Sequence, residues 1–86
     1  MIFLFSNHAL EEMKRRAIPE RILELVLNDP QQIVPERGSL KVYQSVVDFG
    51  DGKQFLLRAI VDDTLEPAIV VTVYRTSKIG KYWRQS

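Results

Sequence analysis

Residues 68–83, AIVVTVYRTSKIGKYW, carry the sharpest change of character in the chain. Ile69, Val70, Val71, Thr72, Val73 and Tyr74 are β-branched or aromatic, the side chains that fit a pleated, half-buried surface, so the first half of this run predicts a strand. From Arg75 onward the residues turn polar, cationic and aromatic: Arg75, Thr76, Ser77, Lys78, Lys81, Tyr82, Trp83 and Arg84. A rigid apolar strand therefore hands over to a chemically rich segment. The formal charge of the 86-residue chain is +1, yet Arg75, Lys78, Lys81 and Arg84 place +4 on the last twelve residues with no acid among them, leaving −3 on the first 74. Cations interleaved with Tyr82 and Trp83 are what phosphate contact plus base stacking would use, and a solvated terminal segment has the same composition.

Moving back along the chain, residues 54–61 read as a second strand, with Phe55, Leu57, Ala59 and Val61 on one face and Gln54, Leu56, Arg58 and Ile60 on the other. Arg58 is a cation in the middle of an apolar strand. It either snorkels over the sheet, pairs with a carboxylate, or serves as an anion ligand on an open face. An acidic turn at 62–67 separates this strand from the last one. Residues 40–47 form a third strand whose alternation sets Leu40, Val42, Gln44 and Val46 against Lys41, Tyr43, Ser45 and Val47, and either row could be the buried one. Gly50-Asp51-Gly52 marks the hairpin between these two strands. Residues 32–34 suit a short edge piece and 35–39 a turn.

The N-terminal third is helical. Residues 2–5 are apolar and too short for a helix, so they fit a first strand buried in the sheet. Ser6 and Asn7 offer N-cap oxygens, and a helix then runs to about Arg16 with Ala9, Leu10, Met13 and Ala17 on the core side and His8, Glu12 and Arg15 on another stripe. Ile18-Pro19 breaks it and starts a second helix over 20–27, which Asn28-Asp29-Pro30 ends. The order predicts one α+β domain over 1–86: after a short first strand, two N-terminal helices packed on one face of a three- to four-stranded antiparallel meander, the other face being left open. One helical turn over 78–84 closes the chain.

A domain of this size buries only about 60–65% of its unfolded surface, so there is little material for a second lobe. A hydrophobic fraction of 45% and a charged fraction of 27% are those of an ordinary globular protein. With no cysteine and one histidine the chain has no disulfide or thiolate chemistry and little from which to build a zinc site, so no metal or cofactor is implied. The five apolar residues at the start are too few for a signal peptide or a membrane span, and the cytoplasm is the expected compartment.

Three residues are candidates for chemistry on these grounds: His8, the one imidazole, in the first turn of a helix, where a capping or surface role is the alternative; Arg58; and Tyr74, sharing a strand face with Thr72, where core at the sheet edge is the alternative. Lys41, Tyr43, Arg75, Thr76, Lys81 and Tyr82 are candidates for binding a polyanion.

The stretch SNHALEEMKRRAIPERILELVLNDP (6–30), with KVYQ (41–44), LLR (56–58) and VVTVYRTSKIGKYW (70–83), resembles the small bacterial domain family DUF4258, a RelE-like group within the wider barnase-like ribonuclease assembly. His8-Ala9 followed by Met13 and Arg15 or Arg16, and the run 74–78, are the most specific pieces. The resemblance implies a metal-independent endoribonuclease, the toxin of a toxin–antitoxin pair, acting on free or ribosome-bound RNA and neutralised by a small acidic antitoxin protein. Under it His8 is the base that takes the 2′-OH proton, Arg58 and Lys78 clamp the phosphate, and Tyr74 is the acid or a stacking platform. With one histidine, a paired-histidine mechanism is excluded. The alternative is a non-catalytic protein- or nucleic-acid-binding module of the same fold.

Overall fold

The computed structural model describes residues 2–85. Its elements run β1 (Phe3–Phe5), α1 (Asn7–Arg15), α2 (Glu20–Asn28), β2 (Gln32–Pro35), β3 (Lys41–Asp48), β4 (Gln54–Asp62), β5 (Ala68–Thr76) and α3 (Ile79–Tyr82). They form an α+β domain around one five-stranded sheet of order β1-β5-β4-β3-β2. This corrects the expected three- to four-stranded antiparallel meander: the sheet is mixed, because β1 joins its edge parallel to β5, pairing Phe3 with Ala68 and Phe5 with Val70. Periodicity predicts a strand at the start of the chain but is silent about its neighbour, and the partner here is more than sixty residues away. Among the described residues no helix is long and apolar enough to cross a membrane.

Ser6 welds the two ends of the chain together. Its backbone N–H donates to the Val70 carbonyl at 3.0 Å, its hydroxyl donates to the Val71 carbonyl at 2.7 Å, and the same Oγ accepts from the Ala9 N–H at 3.0 Å as the cap of α1. The Val71 carbonyl is available because β5 bulges there: Ile60 faces Thr72, Val61 faces Val70, and Val71 is left without a partner on β4. The bulge turns Val70 and Val73 toward the same core, which strict alternation forbids.

Helix α1 ends in a Schellman motif, Ile18 N–H donating to Met13 O at 2.8 Å and Ala17 N–H to Lys14 O at 3.3 Å. Ala17 takes the left-handed position at φ 52°, where glycine is usual. The motif drops Ile18 into the core beside Ala9, Met13, Leu23, Val26 and Leu27, which pack on Tyr43, Leu57, Ala59, Val61, Val70 and Val73 of the sheet.

The second face of the sheet is not open. Val42, Gln44 and Leu56 on that face are fully buried, and Val34, Val42 and Ile60 make a smaller cluster with Leu40 and Tyr74 packed against it. β4 is thus buried on both sides, which is why residues 56–61 read as an almost unbroken apolar run.

Candidate functional site

Four polar side chains line up across this second face. Register pairs Gln32 with Gln44, Gln44 with Arg58, and Arg58 with Tyr74, so one cross-strand row spans β2, β3, β4 and β5. The row is hydrogen-bonded end to end. Gln44 Nε2 donates to Gln32 Oε1 at 2.8 Å, Arg58 Nε donates to Gln44 Oε1 at 2.8 Å, and Arg58 Nη1 donates to the Tyr74 hydroxyl.

Arg58 is 8% exposed, and among the described residues no carboxylate comes within ion-pairing distance of it. A buried guanidinium without a counter-ion is costly. Charge-assisted bonds to Gln44 and Tyr74 offset part of that cost, as do the aromatic faces of Tyr74 and Tyr82, whose centroids lie 5.6 and 4.4 Å from Cζ. Of its five N–H donors only two have partners among the described residues.

A C-terminal segment lies over the row. Tyr82, at the end of α3, sets its ring on the Arg58 guanidinium and meets the Tyr74 ring edge-on at 6.2 Å and 76°. Its carbonyl accepts from Gln44 Nε2 at 3.2 Å. Two residues on, Gln32 donates through Nε2 to the Arg84 carbonyl at 2.7 Å and accepts at Oε1 from the Arg84 N–H at 3.1 Å. Gln32 therefore reads both backbone groups of one residue, as a paired strand would.

Other cations surround the two tyrosines. Lys81 Nζ lies 5.2 Å from the Tyr82 centroid, and Arg16 Cζ, at the end of α1, lies 6.0 Å from that of Tyr74. Arg16 is aimed by Glu12, which accepts from its Nε at 3.0 Å and from Arg15 at 2.6 and 2.9 Å. These bonds hold the Glu12 carboxyl down at about 2, so it stays ionised.

The sequence candidates divide into two groups. Arg58, Tyr74, Tyr82 and Lys81 come together on this face. Thr76 lies on the same strand face, where its hydroxyl accepts from the Lys78 N–H at 3.1 Å, and Lys78 is exposed at the start of α3. The others lie elsewhere. Lys41 and Tyr43 fall in the row facing the helices, where both engage Asp63: Lys41 Nζ at 3.1 Å and the Tyr43 hydroxyl at 2.8 Å. Burial first, and then this bond, push the Tyr43 phenol up to about 12. Arg75 faces the helix side as well, its Cζ 4.5 and 4.8 Å from the Phe49 and Phe55 rings. His8 is exposed on the first turn of α1, eight residues and so about 12 Å along the axis from Arg16. Gln32, Gln44 and Arg16 are the site residues that sequence reasoning passes over. The available signal was Gln44, a polar side chain between Val42 and Val46, facing the one cation of the adjacent strand.

Residues 5–75 match a family model described as a domain of unknown function, DUF4258. The chain belongs to the DUF4258 family. The DUF4258 match takes in Arg16, Gln32, Gln44, Arg58 and Tyr74 and stops before α3, so the segment lying over Arg58 is outside the matched residues. No curated protein and no solved structure matches the chain.

Proposed function

We propose that this DUF4258 protein binds single-stranded RNA at the Arg58–Tyr74 face. The carrying observation is the Arg58 guanidinium, held by neutral partners alone and with N–H donors to spare. A phosphate supplies the anion that Arg58 lacks, Arg16 and Lys81 border it, and the tyrosine rings offer stacking surfaces for bases. Fluorescence anisotropy with a labelled RNA oligonucleotide at graded salt tests this. For three cations the slope of log K against log salt should be about −2, from a contribution of about −0.7 per neutralised phosphate on a single strand. Arg58→Ala should weaken binding at least about tenfold, a loss of about 1.4 kcal/mol or more. Unchanged affinity in an Arg58→Ala, Lys81→Ala double variant would refute the reading.

A second reading adds cleavage, and the contact between Arg58 Nη1 and the Tyr74 hydroxyl favours it. In it the RNA 2′-hydroxyl gives its proton to solvent water as its oxygen attacks phosphorus, the bond to the 5′-oxygen breaks, and a cyclic phosphate and a free 5′-hydroxyl result. Arg58 and Lys78 stabilise the phosphorane and Tyr74 protonates the leaving oxygen. His8, two helical turns from Arg16, stands apart from this group, and so cleavage takes second place to binding. This reading makes the chain a toxin whose small acidic antitoxin covers the cationic rim. Growth arrest on expression, together with cyclic-phosphate products that Arg58→Ala and Tyr74→Phe abolish, would support it. Intact RNA after prolonged incubation with the wild type would leave binding alone.

A further inference from the structure

The groups that give the Arg58 face its binding chemistry are already occupied by the protein's own C-terminal segment. Tyr82 sits on Arg58 at 4.4 Å, the place a stacked base would take. Gln44 and Gln32 spend their amide groups on the Tyr82 carbonyl and on both backbone groups of Arg84. The attachment is light. Among the described residues, α3 is four residues long with none of them buried, and the side-chain bonds that pin residues 79–85 to the sheet come from these two glutamines alone. The face beneath is the opposite in character: Gln44 is fully buried, Arg58 is 8% exposed, and both stand on central strands. Residues 79–85 also lie outside the family match, whereas every residue of the row beneath lies inside it.

We infer that residues 79–85 form a strap that occupies the Arg58 row in the resting protein and is displaced when RNA binds. The strap competes with the ligand for the Arg58 guanidinium and the stacking place above it, while Gln32 serves only to hold the strap down, so it lowers apparent affinity by the fraction of molecules in which it is lifted. It carries Lys81 and Arg84 on its own length, with Lys78 just before it, so a polyanion approaching the rim meets cations on the element that must move. This inference rests on the RNA-binding reading of the site and adds how access to it is regulated.

The chain has no cysteine, so a Gln32→Cys, Arg84→Cys variant introduces a single pair able to lock the strap to β2 when oxidised and to free it when reduced. Binding of a fluorescein-labelled mixed-sequence RNA oligonucleotide is measured on both redox forms, with disulfide formation verified by mass. The oxidised form should bind on the order of tenfold more weakly than the same protein reduced. Gln32→Ala, which needs no crosslink, should bind RNA severalfold more tightly than wild type. Trp83, the one tryptophan, reports the movement directly: its emission should shift to the red on RNA binding and amides of residues 79–85 should exchange faster. Equal affinity of the oxidised and reduced forms, or tight RNA binding with Trp83 emission and exchange unchanged, would overturn the strap while leaving RNA binding intact. Weaker binding by Gln32→Ala would overturn it too, by making the segment part of the contact surface. Absence of RNA binding in wild type, Gln32→Ala and the reduced pair alike would sink the RNA reading, and the strap with it.

Discussion

The Arg58 guanidinium carbon lies 4.4 Å from the centroid of the Tyr82 ring, joining the middle of the sheet to a segment that crosses it from outside. Replacing Tyr82 by Ala removes this cation–π contact and uncovers Arg58. Part of the lost energy returns as hydration of the freed guanidinium, so the net cost should be modest, about 1–2 kcal/mol. Urea unfolding followed by far-UV circular dichroism checks this. A loss far above that range would make Tyr82 a core residue and not a removable cover.

Gln44 is the member of the row with the most to lose. Gln44→Leu keeps the volume but strands Arg58 Nε and the Tyr82 carbonyl, which have Gln44 as a partner, and leaves Gln32 Oε1 with the Arg84 N–H alone. Leaving buried polar groups unpaired costs about 1–3 kcal/mol apiece, less where water can reach them. We expect a total of about 2–4 kcal/mol, measured as a fall in the urea midpoint with unchanged m-value. A neutral Gln44→Leu would mean that the row is solvated.

Ala17 holds the left-handed position between α1 and α2 at φ 52°. A non-glycine residue pays about 1–2 kcal/mol there, and glycine returns part of that gain as extra freedom in the unfolded chain. Ala17→Gly should therefore stabilise the domain by about 0.5–1 kcal/mol, a rise in Tm of several degrees for a chain of this length. Scanning calorimetry gives the sign directly, and a lower Tm would contradict it.

Stability should fall at both ends of the pH scale, for different reasons. The Tyr43 phenol is raised to about 12 by burial and by its bond to Asp63, so its contribution is complete below the ordinary tyrosine value near 10 and is lost as pH climbs through 12. Glu12 is lowered to about 2 by the bonds from Arg15 and Arg16, and Asp63 is lowered chiefly by the Tyr43 bond. Both contributions are present above the usual carboxylate range; that of Glu12 is lost as pH falls toward 2, and that of Asp63 is lost as pH falls below that range. Tyr43→Phe should cost about 1–2 kcal/mol at neutral pH and flatten the alkaline limb of a Tm-against-pH curve. An alkaline limb identical to that of the wild type would assign the loss to other groups.

Much of the local structure was legible in the residues themselves. Ser6 as a helix cap, the break at Ile18-Pro19, the turn around Gly50 and Gly52, and the strands carrying Arg58 and Tyr74 are each decided by near neighbours, through propensity, capping and alternation. Arg58 stood out as a cation where an apolar side chain was due. Alternation says only that Gln44 and Tyr43 point to opposite faces, and both faces of that strand looked equally fit for the core. Only the pairing of β3 with β4 put Gln44 beside Arg58 and sent Lys41 and Tyr43 to Asp63.

The sequence alone determined which stretches form strands and helices, with ends that shift by a residue or two in the structure, since those choices rest on contacts within a few residues. The tertiary structure decided which of them touch: β1 beside β5, the Val71 carbonyl on Ser6 across 65 positions, and Arg84 on Gln32 across 52. Such contacts form because backbone and amide groups must find partners once burial removes water, and no local pattern records which distant group will be there. For the same reason the cationic segment, which alone reads as a free arm, lies across the sheet on the residues it was expected to leave open.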